Sequence, residues 1–274
     1  MKLLCQAINV LLPLLYMIIL FIYGIIFFVK NKKLERKTGL FLLLLIFLHG
    51  AEIILRSITL SAIPLSTIFD ALSFLAFSIL IIYYMIEISL KNKMTGFIVL
   101  IFPFLLQLIS SILYEWNVES NPLLSNPVFA LHAAITIIGY TGLTISALYA
   151  LMYILLNYNI KYHRFGVLYN NLPPLAELEK LSIRSISIGI IILGIGIFLG
   201  HLRAYDIFGS FWLKDPKIIL TDFIWFIYFL GYLMFRIRNW RGRWMAYLSV
   251  AGFIVLFVVN ISLIFIIKTF HEFH

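Results

Sequence analysis

Residues 181–200 read LSIRSISIGIIILGIGIFLG, and residues 201–217 continue HLRAYDIFGSFWLKDPK. The first part carries one charge, Arg184, in its twenty residues. Twenty helical residues rise about 30 Å, the thickness of a bilayer's hydrocarbon core. The second part changes character at once. Arg203, Asp206, Lys214, Asp215 and Lys217 are interleaved there with Tyr205, Phe208, Phe211 and Trp212. An apolar span that delivers an aromatic, charged loop to one surface sets the frame for the rest of the chain.

Composition agrees with that frame. Of 274 residues 63% are hydrophobic and 12% charged, and mean hydropathy is +1.04. A soluble domain is nearer half apolar and a quarter charged. A 31.7 kDa globule has too much surface to hide this much apolar area. Runs of spanning length fall near Ile8–Val29, Thr38–Leu55, Ile68–Leu90, Thr95–Leu113, Val128–Leu156, Leu181–Gly200, Ile218–Phe235 and Trp244–Ile267. They predict an all-α integral membrane protein of eight transmembrane helices, one domain over residues 1–274. The first run is longer than a signal-peptide core and no small-residue cleavage site follows it, so it is expected to stay as a span.

Lys and Arg sort unevenly over the connections. Those after spans 1, 3, 5 and 7 hold fifteen of the 21, including Lys30, Lys91, Arg164 and Arg236, against six on the opposite side. The positive-inside rule then puts both termini outside a cytoplasmic (inner) membrane. The net charge of +9 is thus a topology signal, and its scatter over four loops speaks against nucleic acid as a partner. The single cysteine, Cys5, excludes a C-x-x-C redox pair and covalently attached haem.

Five of the six histidines fall in or near the outer leaflet: His49, His132, His201, His271 and His274. Each alone is most simply a solvated or hydrogen-bonded side chain; several on one face suit a metal, and paired imidazoles suit haem iron. Glu52 lies three residues after His49, on the same helical face, where it either orients that ring or bonds to another helix. Asp70, Glu87 and Asp222 sit near span ends, and Glu87 is expected to pair with Lys91 at i+4. The loop His201–Lys217 reads either as an interfacial aromatic belt with snorkelling lysines or as a seat for a flat anionic ligand.

The segment FGSFWLKDPK (Phe208–Lys217) resembles the tryptophan-rich loop W-G-x-x-W-x-W-D-P-K-E of the haem-handling cytochrome c assembly proteins of CcsA, CcmC and CcmF type. Gly209, Trp212, Asp215, Pro216 and Lys217 match; Phe208 replaces the first Trp, Lys214 stands at a Trp and Ile218 at the Glu. LHGAEIILRS and IPLSTIFDALSFLAF (Leu48–Phe77) are similar to the family's H-x6-R and PLSNLYESL segment through His49 and Arg56, with Asp70 at its Glu. Trp225 and Tyr228 fit a W-x-x-Y, and NWRGRWMAYL (Asn239–Leu248) the basic turn before the last span. Size and the KTFHEFH tail look most like the HemX branch or a short stand-alone CcsA.

The resemblance implies two axial haem ligands on the outer face, His132 and His271, with His274 as a fallback. The loop 201–217 then forms the haem seat, and His49 marks a second haem site in the membrane, with Met234 near its expected partner. By their charge, rather than by the resemblance, Arg56, Arg203, Lys214 and Lys217 are expected to pair with the propionates. The ligand is haem b, transient and non-covalent, and the partners are apocytochrome c and a ResB/CcsB-type membrane protein. The function implied is haem transport or presentation for attachment to apocytochrome c. No catalytic residue is expected, only a part in a haem-lyase complex. The alternatives are a HemX-like regulator of tetrapyrrole biosynthesis acting on glutamyl-tRNA reductase, or an ion-coupled transporter using Glu52, Asp70 and Asp222, for which no broken-helix pair is evident.

Overall fold

The computed structural model describes residues 2–65, 67–90, 92–114, 127–209, 216–238 and 240–266. Among them all regular structure is helical. Its elements are α1 (Lys2–Val29), α2 (Lys32–Leu60), α3 (Ile68–Leu90), α4 (Gly96–Ile112), α5 (Pro127–Lys161), α6 (Val167–Asn171), α7 (Leu175–Phe208), α8 (Pro216–Arg238) and α9 (Arg243–Ile266). Six of these helices are long and apolar enough to cross a membrane, and Gly96–Ile112 and Arg243–Val258 are shorter apolar helices. Large apolar side chains face outward along the spans, among them Phe21 (69% exposed), Ile191 (64%) and Phe198 (62%). In water such surface would aggregate; in a bilayer it meets lipid.

Most helices outrun the expected spans. The main correction concerns the loop after the sixth. His201–Phe208 is helix, the last two turns of α7. Nothing in HLRAYDIF breaks a helix; the stop is Gly209, at φ 68°, whose N–H closes on the Tyr205 carbonyl at 2.8 Å. This left-handed cap suits glycine. Pro216 opens α8, a place where its missing N–H costs nothing. Arg203 and Tyr205 therefore project from a helix rather than a loop. The predicted inner connection is also partly helical, in α6.

The chain divides into two compact units: residues 1–125 with 170–173, and residues 126–169 with 174–274. In the first, α1 packs on α2 and α4, and α3 on α2 and α4. Asn31 caps α2, its side-chain oxygen accepting from the N–H groups of Lys33 and Leu34, both at 3.1 Å. At one end of this unit Glu87 is buried and bonded to the Tyr23 hydroxyl and to Lys93 Nζ, the latter at 3.6 Å. The expected partner Lys91 lies outside the described residues; the turn into α4 carries Lys93 back over α2, where it also donates to the Glu35 carbonyl at 2.6 Å and Thr38 Oγ1 at 3.0 Å.

The second unit is built on the contact of α5 with α7, with α9 against α5 and α8 against α7 and α9. Small residues let the first pair approach closely: a Cβ at Gly142 would stand 2.6 Å from Gly189 Cα, and one at Gly139 2.7 Å from Leu193 Cα. Between lipid-exposed helices, such backbone proximity supplies the dispersion contact that no hydrophobic effect provides. Leu143, Ile186, Ile190, Leu193, Ile224, Tyr228, Met245 and Leu256 fill the core. Ser146 on α5 ties in α7 and α9 through Ser182 (3.1 Å) and Ser249 (3.2 Å). Gly142→Val is expected to destabilise the protein by about 1–3 kcal/mol, the usual cost of overpacking, read as a lower thermal midpoint in detergent.

Candidate functional site

Each unit holds its own constellation of the predicted site residues. In the second unit His132 stands near the start of α5, partly buried. Its Nδ1 lies 2.7 Å from the carbonyl oxygen of Gly196 on α7. A carbonyl only accepts, so Nδ1 carries the proton and Nε2 is the lone-pair nitrogen of the neutral ring. The imidazole lies against Gly200, where a Cβ would meet its Cε1 at 2.6 Å. Phe129 is tilted beside it, centroids 6.0 Å apart. One residue beyond Gly200, His201 Nε2 is 3.0 Å from Asp222 Oδ2 on α8. This bond crosses between the two helices that flank the 209–216 connection. Nothing in the one-dimensional pattern pairs residues 201 and 222, which are 21 positions apart.

The W-x-x-Y of α8 turns out to hold helices together. Trp225 Nε1 donates to the Ile190 carbonyl at 2.8 Å, and its ring passes over Gly194, where a Cβ would come within 3.1 Å of it. Tyr228 donates to the Ser249 carbonyl on α9 at 3.2 Å. Arg203 donates from Nη1 to Asp206, one turn on along α7, at 3.1 Å. Of the loop, Gly209 is described as the cap of α7, and Phe208, Pro216 and Lys217 through their helical backbone. Phe211, Trp212, Lys214, Asp215, His271 and His274 lie outside the described residues.

In the first unit His49 is fully buried on α2. Tyr16 Oη lies 2.9 Å from its Nδ1 and Ser73 Oγ 2.8 Å from its Nε2. Ser73 gives its one proton to Gln107 Oε1 at 3.0 Å. Ser73 therefore accepts from His49 Nε2–H, and Nδ1 accepts from Tyr16. The chain continues from Gln107 Nε2 to Ser111 Oγ (3.2 Å) and from Ser111 to the Asn9 carbonyl (3.0 Å), closing on α1. Both His49 nitrogens are thus engaged, with the proton on Nε2, opposite to His132. Glu52 bonds to another helix rather than orienting His49: it accepts from the Cys5 thiol on α1 at 3.5 Å.

One turn beyond Glu52, Arg56 is 5% exposed. Its Nε donates to Asp70 Oδ1 at 3.1 Å and its Nη1 to Tyr114 Oη at 2.9 Å. The guanidinium lies over the rings of Phe69 (4.5 Å) and Tyr114 (4.7 Å). Asp70 is held in turn by Thr67 Oγ1 at 2.9 Å, while Thr67 accepts the Asp70 N–H at the start of α3. Burial pushes the Tyr114 phenol above its ordinary pKa, so it accepts from Arg56 as a neutral hydroxyl and points its own proton at Cys5 Sγ, 3.7 Å away. The adjoining cavity, lined by Asn9, Glu52, Asp70, Ser73 and Ser110, offers about 10 Å³, the room one water needs.

Comparison with known proteins places these residues in context. A model of the family described as cytochrome C assembly protein matches residues 65–271. The chain is 27% identical over 270 residues to the cytochrome c biogenesis protein CcsA of Mesostigma viride, covering 89% of this chain and 88% of that one. It is 26% identical to the CcsA of Guillardia theta, over 77% and 76% of the two chains. To that of Prochlorococcus marinus strain MIT 9515 it is 24% identical, over 86% and 83%. These relatives are described as CcsA, and the HemX-type reading draws no support from them.

The Arg56–Asp70 pair is the more exacting of the buried contacts, since removal of one partner strands a charge. Asp70→Ala is expected to lower stability by about 3–5 kcal/mol. The double variant Arg56→Met, Asp70→Ala should recover much of it, as measured by unfolding in detergent.

Proposed function

Because the chain belongs to the cytochrome c assembly protein family, a multi-pass membrane protein by its helices and its relatives, we propose that it carries haem to, or presents it at, the outer face for attachment to apocytochrome c. The six long helices and two shorter ones act as eight spans with both termini outside, in the cytoplasmic membrane. Haem b is cargo, held without a covalent bond between His132 and His271. Phe208, Phe211 and Trp212 seat the porphyrin, Gly209, Asp215 and Pro216 shape the turn, and Lys217, Lys214 and Arg203 meet the propionates. A ResB/CcsB-type protein completes the assembly.

The observation that carries this reading is the His132–Gly196 bond of 2.7 Å. An imidazole that ligates a metal almost always gives its other ring N–H to a carbonyl or carboxylate, which fixes ring and tautomer. His132 has that arrangement beside the helix that leads into the loop. A neutral imidazole on each side of the iron binds it without charge and releases it by simple dissociation, which suits a handoff. A second haem site is proposed at His49, whose ring nitrogens meet Tyr16 and Ser73 in this structure and would exchange one of these bonds for iron. Arg56 is bonded to Asp70 and Tyr114 within its own unit.

Purified in detergent, the protein is expected to show the absorption spectrum of bis-histidine haem, sharpened on reduction. His132→Ala with His271→Ala should be colourless at wild-type expression; unchanged haem content in that variant refutes the assignment. In cells, deletion of the gene is expected to abolish c-type cytochromes, scored by haem-stained gels. Normal c-type cytochromes in the deletion strain would overturn the assembly role.

A further inference from the structure

We propose that Gly196 and Gly200 are positioning residues of the outer haem site: they seat the His132 imidazole on α7, keep its proton on Nδ1 and make Nε2 the ligating atom. This rests on the assignment of His132 as an iron ligand.

The two glycines are one helical turn apart on α7, so they share a face. At residue 200 a Cβ would stand 2.6 Å from His132 Cε1, 3.0 Å from Nδ1 and 3.2 Å from Nε2. The ring occupies the space a side chain would take, so no other residue type leaves it in place. At residue 196 a Cβ would meet Thr136 Oγ1 at 2.6 Å and the Thr136 backbone nitrogen and Cα at 3.1 Å. The outer part of α5 therefore lies against α7 at a distance that only glycine allows, and this approach brings Nδ1 to within 2.7 Å of the Gly196 carbonyl.

That carbonyl sits inside a helix, where one lone pair serves the N–H four residues on, which is residue 200. The second lone pair remains for an outside donor. A side chain at 200 would stand over it; glycine leaves it open to the imidazole. Thr136 turns its own hydroxyl back to the His132 carbonyl at 2.8 Å, so it does not compete for Gly196. The result is a ring with one permitted tautomer, mounted on the same rigid helix that ends at the loop cap Gly209. Loss of such an outer partner typically weakens metal binding 10–100-fold.

The test uses the full chain in detergent, labelled with ¹⁵N-histidine and free of haem. The His132 ring signals are identified by their absence in His132→Gln. A neutral ring protonated on Nδ1 is expected; a proton on Nε2, or on both nitrogens at mildly alkaline pH, overturns the proposal. Haem titration supplies the second readout. Gly200→Ala should weaken binding roughly 10–100-fold and disturb the bis-histidine spectrum. Gly166→Ala, at a site with nothing within 4 Å, should bind as wild type does. Wild-type affinity in Gly200→Ala also overturns it. If Gly200→Ala does not fold by circular dichroism, the wild-type tautomer decides alone. Should His132→Gln bind haem as tightly as wild type, the ligand assignment falls and this role with it. A wrong tautomer with haem binding lost in His132→Gln removes the positioning role only.

Discussion

A bilayer core offers no water to a polar group, so each buried donor and acceptor in a spanning helix must find its partner on the protein. The two units meet this demand differently. In the first, α1 to α4 exchange side-chain hydrogen bonds: Tyr16, His49, Ser73, Gln107, Ser111 and Asn9 form one directed chain that visits all four helices. Arg56 and Asp70 form a second, ionic tie. In the second unit the joining of α5 and α7 depends on glycines that bring backbones together. Polar contacts such as Ser146 with Ser182 and Ser249 are added to it.

That contrast separates the two histidines. His49 is consumed by its surroundings: its lone pair takes the Tyr16 proton and its own proton goes to Ser73. The chain has a fixed direction because His49, Ser73 and Gln107 each accept from one neighbour and donate to the next. His132 gives its Nδ1 proton to a backbone carbonyl, which cannot change direction. One ring joins side chains of two other helices, and the other is oriented by the backbone of a neighbouring helix.

The class of fold was legible from the apolar runs, because spanning length and the scarcity of charge are properties of a contiguous segment. Leu181–Gly200 and Ile68–Leu90 announced themselves in that way. Helix ends were less legible: α7 runs on through His201–Phe208, where the residues turn polar although their backbone has no reason to stop. The site was partly legible. His132, the glycine that caps α7 and the proline that opens α8 stood out by residue type. What sequence could not supply was pairing at a distance. Glu87 meets Lys93 because a turn reverses the chain. His201 meets Asp222 because α7 and α8 pack side by side. Gly200 matters because a ring from α5 lies over it; on α7 alone it is one small residue among several.

The burial of Cys5 bears on the environment in which such a protein works. It is the only cysteine in the chain, it is 2% exposed and its thiol is turned toward Glu52. Thiol–disulfide exchange requires an accessible sulfur. So held, the chain's one thiol is shielded both from cross-linking and from exchange with other thiols.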